Sequence, residues 1–237
     1  YNIPFSLMFK KKFDSLMTEE INIIAKTLKL NIHDIYNHDE KNINTGRNII
    51  SFFNSTISTE YKIEDKIMNF NSINSKIKNK KIDFDGNLSI NPFDLNLNIN
   101  LGDYKLLKLL NINSVLGEII KTELLFNKNI SVNTILTINS ELRKEIFNNV
   151  NINFNIINGK INFNKTRLVN KKIGLLELDN SNLTYINGRL ILNTDILVDI
   201  KNHNELYSLL QTNKKSRKPI KNILINLDYD FLTNQIG

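Results

Sequence analysis

A two-residue rhythm of asparagine against large apolar side chains constrains this chain more than any other feature. It is clearest in LNLNINL (95–101) and VNINFNI (150–156). Successive residues of a β-strand point to opposite faces, so Leu95, Leu97, Ile99 and Leu101 line one side while Asn96, Asn98 and Asn100 line the other. Val150, Ile152, Phe154 and Ile156 repeat the arrangement, and Ile223, Ile225, Leu227, Tyr229 and Phe231 do so again near the C-terminal end. A period of two rather than 3.6 predicts a mainly β protein: a long curved antiparallel sheet or open β-groove, with a few short covering helices.

Asn and Ile each supply roughly a sixth of the 237 residues. Both are favoured by AT-rich codons, so the identity of the polar partner says little and the apolar positions carry the information. At 41% hydrophobic the chain is long enough to bury a core. Its net charge of +7 is spread along the sequence and interleaved with 24 acidic residues, which reads as a solvated surface and not as a nucleic-acid footprint. The absence of Cys excludes disulfides, zinc thiolates and thiol nucleophiles. No run of about 18 apolar residues predicts a membrane-spanning helix. Tyr1 enters a strand-like pattern directly and Gly237 follows a strand, so the chain is expected to be a segment of a longer one, with any membrane anchor outside it.

Along the chain, strands are expected over 4–13 and over 21–35, the second with a bulge near Thr27 where the apolar parity changes. A meander over 49–63, 66–73 and 75–90 follows, with a bulge or tight turn at Asp85-Gly86. Residues 103–125 shift toward helical spacing, with Asp103 and Ser114 as N-caps and Leu106, Leu107, Leu110, Leu116, Ile119 and Ile120 facing the sheet. This interlude divides the chain into an N-terminal β meander, 1–102, and a region of short helices and strands, 103–237, within what is expected to be one continuous sheet. Beyond it come a strand over 130–138, a polar helix or loop near 140–148, and hairpins through Asn158-Gly159 and Asn187-Gly188. A helix over 203–211 should turn Leu206, Leu209 and Leu210 inward, before a basic loop and a last strand over 220–232.

No catalytic or cofactor pattern accompanies these strands. His33, Asp34, His38, Asp39 and Glu40 are close in sequence, but they sit at a strand end with no second set of ligands, so no metal is expected. His203 reads as a neighbour of a helix cap. Asp228 and Asp230 share the polar face and are expected to be solvated, with no catalytic role. No nucleophile elbow, P-loop or dinucleotide glycine pattern occurs, and the expectation is a non-enzyme without cofactor. Lys214, Lys215, Arg217 and Lys218 form the densest charge cluster. It reads as a solvated loop, or as a contact for anionic lipid headgroups, each charge contributing about 1 kcal/mol near a membrane surface. The apolar face itself has two readings: a core packed against a second layer, or a groove for acyl chains.

The stretches LSINPFDLNLNINL (88–101), IGLLELDNSNLTYINGRLILNTDILVDI (173–200) and LYSLLQTNKKSRKPIKNILINLDYDFLTNQI (206–236) resemble the C-terminal region of the AsmA-like family, the AsmA, TamB and YhdP type, in its alphaproteobacterial form. Residues 1–80 match only in general character. The resemblance implies a periplasmic protein anchored to the inner membrane of a Gram-negative bacterium by a segment outside this chain. It implies phospholipid as the partner, inner-to-outer membrane lipid transport and outer-membrane maintenance as the function, and no catalytic residues. The lipid-facing residues would be the three apolar series named above. The alternative expectation is a scaffold for outer-membrane protein assembly, pairing its sheet edges with client strands.

Overall fold

The computed structural model describes residues 4–13, 17–38, 43–102, 124–140, 146–231, 233 and 235–236. The fold is mainly β, with strands making up 69% of the chain. It divides into two compact units, Tyr1–Gly102 and Asp103–Gly237.

The first unit is an antiparallel meander of β1 (Ser6–Phe13), β2 (Met17–Ala25), β3 (Leu30–His38), β4 (Asn44–Phe52), β5 (Ser55–Glu64), β6 (Ile67–Ser72), β7 (Lys76–Ile77), β8 (Lys80–Ile90) and β9 (Phe93–Gly102). The stretch read as one strand over 21–35 is a hairpin. Its parity change falls on a 3-10 turn, Lys26–Leu28, closed by Lys29 in the left-handed conformation at φ 49°. The segment over 49–63 likewise breaks at Phe53, φ 48°, into β4 and β5. No bulge or turn occurs at Asp85-Gly86, because β8 stays in register there with both neighbours. Gly86 is glycine for space: a Cβ would collide with the Asn96 carbonyl of the adjacent strand.

The second unit contains β10 (Ile130–Asn139), β11 (Asn149–Ile157), β12 (Lys160–Asn162), β13 (Arg167–Asn170), β14 (Gly174–Ile186), β15 (Arg189–Ile200), β16 (Asn222–Asp230) and β17 (Gln235–Ile236), again antiparallel. The hairpins at Asn158-Gly159 and Asn187-Gly188 form as expected, with both central residues at positive φ. β14 carries a bulge at Asp179–Asn182, with Asn180 at φ 47°. The bulge switches parity, so Leu176 and Leu178 before it and Leu183 and Tyr185 after it share one face.

The two units contain the same local device. In each, a strand returning from a tight turn is interrupted and a hydroxyl side chain replaces the missing ladder bonds. Ser75 Oγ accepts from Ser58 N and donates to Ser58 O, both at 2.9 Å. Thr166 Oγ1 accepts from Asn153 N at 3.1 Å and donates to Asn153 O at 3.3 Å. Both hydroxyl residues are buried; at Ser58 the bonds satisfy buried backbone groups, and at Asn153 half-buried ones. β6 and β7 are the two halves of one interrupted strand, β12 and β13 the halves of the other.

Among the described residues the one α-helix, α1, spans His203–Leu209 and is capped by the Asn202 side chain, which accepts from Asn204 N and Glu205 N. Its inward residue is Tyr207, whose hydroxyl donates to Lys218 O at 2.7 Å; Leu209 and Leu210 are exposed. Of the three leucines expected inward, Leu206 is half-buried, whereas Leu209 and Leu210 give way to the Tyr207 ring, which also ties down the following loop. The helices expected over 103–123, with Asp103, Leu106, Leu107, Leu110, Ser114, Leu116, Ile119 and Ile120, lie outside the described residues. Leu124–Phe126 is a 3-10 turn. Of the segment expected as a polar helix or loop, 146–148 is non-helical and 141–145 lies outside the described residues.

Candidate functional site

Residues directly opposite in neighbouring strands share a face, so the register alone sorts the side chains into transverse rows. In the first unit one row is wholly apolar: Leu7, Ile23, Ile32, Ile50 and Ile57, from β1 to β5. It spans four strand spacings, about 19 Å at roughly 4.8 Å each. Ile82 and Leu101 belong to the same face further along the unit, as do Leu95, Leu97 and Ile99. The next two rows on this face run Phe9, Ile21, Asp34, Asn48, Thr59 and Lys11, Glu19, Tyr36, Gly46, Tyr61, and their polar members form a lane beside the apolar row.

The lane is tied together by side-chain contacts. Tyr61 Oη lies 3.1 Å from both carboxylate oxygens of Asp34, and Asn48 Nδ2 donates to the same carboxylate at 3.2 Å. Tyr36 and Tyr61 stack with ring centroids 6.4 Å apart and 23° between planes. Glu19 receives Lys11 Nζ at 2.9 Å. His38 Nε2 is 3.6 Å from Glu19, within ion-pair range but too long for a hydrogen bond. The Lys11 bond holds the Glu19 carboxyl below the usual range against the opposing effect of desolvation. Desolvation first, and the Asp34 charge second, push the Tyr61 phenol well above its ordinary range, so it stays protonated and serves as a donor.

Gly46 is what lets the two tyrosines lean together. It is buried between them in register, and a Cβ there would fall inside the Tyr61 ring. Gly46→Ala is therefore expected to destabilise the unit by about 1–3 kcal/mol through overpacking. Chemical denaturation checks this against Gly102→Ala, where a Cβ meets nothing within 4 Å and little change is expected.

In the second unit two rows join the stretches that the sequence singled out. One runs Val150, Leu168, Leu176, Val198, Ile223; the other runs Ile156, Ile161, Leu183, Leu192, Tyr229. Val150–Ile156 and Ile223–Tyr229 thus share one apolar face. Parts of that face are closed by the protein itself, since Val150 and Ile156 are buried and offer no surface to a ligand, and in the first unit the same is true of Leu101. Ile152, Phe154, Ile223, Leu227, Tyr229 and Phe231 are half-buried and Ile225 is 44% exposed; Leu95, Leu97 and Ile99 are half-buried in the first unit. A hollow of about 480 Å³ lies on this face between Phe126, Ile161, Leu183 and Tyr185.

The opposite faces are not featureless. In the first unit a depression of about 750 Å³ is lined mainly by polar-face residues, among them Arg47, Glu60, Asn71, Asn87 and Asn98. In the second, Leu175, Leu197 and Leu224 make an apolar patch on the otherwise polar side, around a hollow of about 570 Å³.

Of the basic loop, Lys214, Lys215 and Lys218 are exposed, whereas Arg217 is half-buried with Nε donating to Thr212 O at 3.1 Å. Asp228 is exposed and accepts from Asn193, but Asp230 is buried and its Oδ2 receives Arg189 Nε at 2.8 Å. The expected solvation of Asp230 is overturned because Arg189, at the start of β15, reaches across and covers it. His33 and Asp34 point to opposite faces, and His33 Nε2 is 3.0 Å from Glu20; Asp39 and Glu40 lie outside the described residues. The polar lane was missed by sequence reasoning because Asp34, Tyr36 and His38 alternate with Ile35 and Asn37, and only the register reveals which of them share a face with Glu19 and Tyr61.

These features define a mainly β protein in which, among the described residues, many side chains of the apolar faces are half-buried or exposed. Compared with known proteins, no family model, curated protein or solved structure matches the chain.

Proposed function

We propose that the chain is a non-enzymatic lipid-handling module, in which the uncovered apolar faces shield phospholipid acyl chains from water. The observation that carries this reading is the thinness of the first unit's core. Among its described residues only Ala25, Ile82 and Leu101 are buried apolar side chains, although every strand from β1 to β5 contributes an apolar residue to the row of Leu7, Ile23, Ile32, Ile50 and Ile57. A soluble domain normally covers such a face, and an extended uncovered one marks a partner. A lipid chain is a fitting partner because each methylene removed from water contributes about 0.8 kcal/mol without requiring directional contacts. The lane of Leu7, Ile23, Ile32, Ile50 and Ile57 offers such a surface beside groups able to meet a headgroup.

The periplasmic setting, the inner-membrane anchor outside this chain and the transport of phospholipid between membranes are part of the same proposal, and they rest on the resemblance to AsmA-like sequences. Lys214, Lys215 and Lys218 are available to anionic headgroups in this reading. Native mass spectrometry of the protein purified from bacterial membranes tests it: retained phospholipid is expected, and a lipid-free spectrum under conditions that preserve a control lipid carrier overturns it.

A second reading, edge pairing with client strands, is favoured by β1. Within the first unit β1 pairs with β2 alone, and Leu7, Met8 and Phe9 are each more than half exposed. Three lysines, Lys10, Lys11 and Lys12, guard that edge against indiscriminate pairing. Crosslinks from β1 to a β-barrel protein, in place of retained lipid, would select this reading.

A further inference from the structure

Asp34 lies on the apolar face of the first unit, and among the described residues no cation stands within ion-pair distance of its carboxylate. Glu19, in the neighbouring row, is held between Lys11 and His38. Asp34 receives only neutral donors, Tyr61 Oη and Asn48 Nδ2. A half-buried carboxylate among isoleucines is costly to maintain without a cation, and hydrogen bonds from neutral groups offset only part of that cost. Beside it stand the stacked rings of Tyr36 and Tyr61, whose π-faces also attract cations. The adjoining row is the apolar lane, roughly 6.7 Å away, the distance covered by two residues along a strand.

We propose that Asp34, together with the rings of Tyr36 and Tyr61, receives the protonated amine of a zwitterionic lipid headgroup while the acyl chains lie along Leu7, Ile23, Ile32, Ile50 and Ile57. This rests on the lipid-handling reading and narrows it to an amine-bearing headgroup. The ammonium supplies the positive charge that Asp34 lacks, and the carboxylate retains lone pairs beyond those engaged by Tyr61 and Asn48. A headgroup carrying only negative charge would bring its phosphate against an uncompensated carboxylate in a partly desolvated site, where like charges repel more strongly than in water. The register thus provides two parallel lanes, one for hydrocarbon and one for a cation.

The test incubates the full chain with vesicles of equimolar phosphatidylethanolamine and phosphatidylglycerol, repurifies it and measures the bound ratio by native mass spectrometry. Phosphatidylethanolamine is expected to be enriched at least about fivefold, equivalent to about 1 kcal/mol. Asp34→Asn, which preserves shape and an acceptor for Tyr61, is expected to bring the ratio to about one. Glu60→Gln, on the opposite face of β5, is expected to leave the enrichment intact. Equal retention of both lipids by the parent, or enrichment unchanged in Asp34→Asn, overturns this inference and leaves the acyl-chain reading standing. Retention of neither lipid overturns both.

Discussion

Ile23→Glu combined with Ile32→Lys is expected to cut retained lipid at least about tenfold, a loss corresponding to about 1.4 kcal/mol. The two residues are directly opposite in β2 and β3, so the introduced charges can pair across the strands and keep the sheet together. Their effect on an acyl chain is different. Hydrocarbon laid over that row would strip water from both charges, and desolvating an ion pair costs more than the attraction of an exposed pair returns. Asn98→Lys, on the polar face of β9, serves as the matched control and is expected to change lipid retention little. Circular dichroism and lipid occupancy measured together decide the matter. A folded double variant that still carries its full complement of lipid would remove the apolar lane from the function.

Leu190→Ala carries the largest expected effect on stability, about 2–5 kcal/mol. Leu190 is fully buried at the start of β15, opposite Tyr185, and its carbonyl accepts from Phe231 N at 2.9 Å. Removing the side chain leaves a cavity where the β14–β15 hairpin meets the end of β16. Leu224→Ala, at a position 61% exposed, is expected to stay within about 0.5 kcal/mol. Denaturant titration of the two variants separates a closed region of the second unit from its open patch. Similar losses at both positions would mean that Leu224 is covered in solution by something other than this chain.

The alternation of apolar and polar residues made the β class legible, because a period of two has one structural meaning over runs as long as 95–101 or 189–200. Its interruptions were less legible. A parity change has two physical solutions, an extra residue within one strand or a reversal of the chain. At 25–29 the reversal occurs, where a 3-10 turn and Lys29 at positive φ allow Ile23 and Ile32 to face each other. At 179–182 the bulge occurs, and β14 continues beyond it. The Asn-Gly hairpins were readable because glycine advertises positive φ, whereas Asp65-Lys66 and Lys78-Asn79 make turns of the same sign without glycine. The burial of Asp230 was hidden because its partner Arg189 is 41 residues away. The polar lane could not be read at all without pairing partners, since each of its residues looks like an ordinary polar position within its own strand.

The hydroxyl staples at Ser75 and Thr166 bear on how such a chain can lengthen. Each lets a strand stop and restart while the partner strand keeps its hydrogen bonds, so a fixed-length turn-to-turn period is unnecessary. Spacer length between the two halves is then free to vary, and it differs by one residue between Ser72–Lys76 in one unit and Asn162–Arg167 in the other. Duplication followed by such variation would preserve the architecture while erasing any constant repeat from the sequence, and shared topology would outlast recognisable similarity.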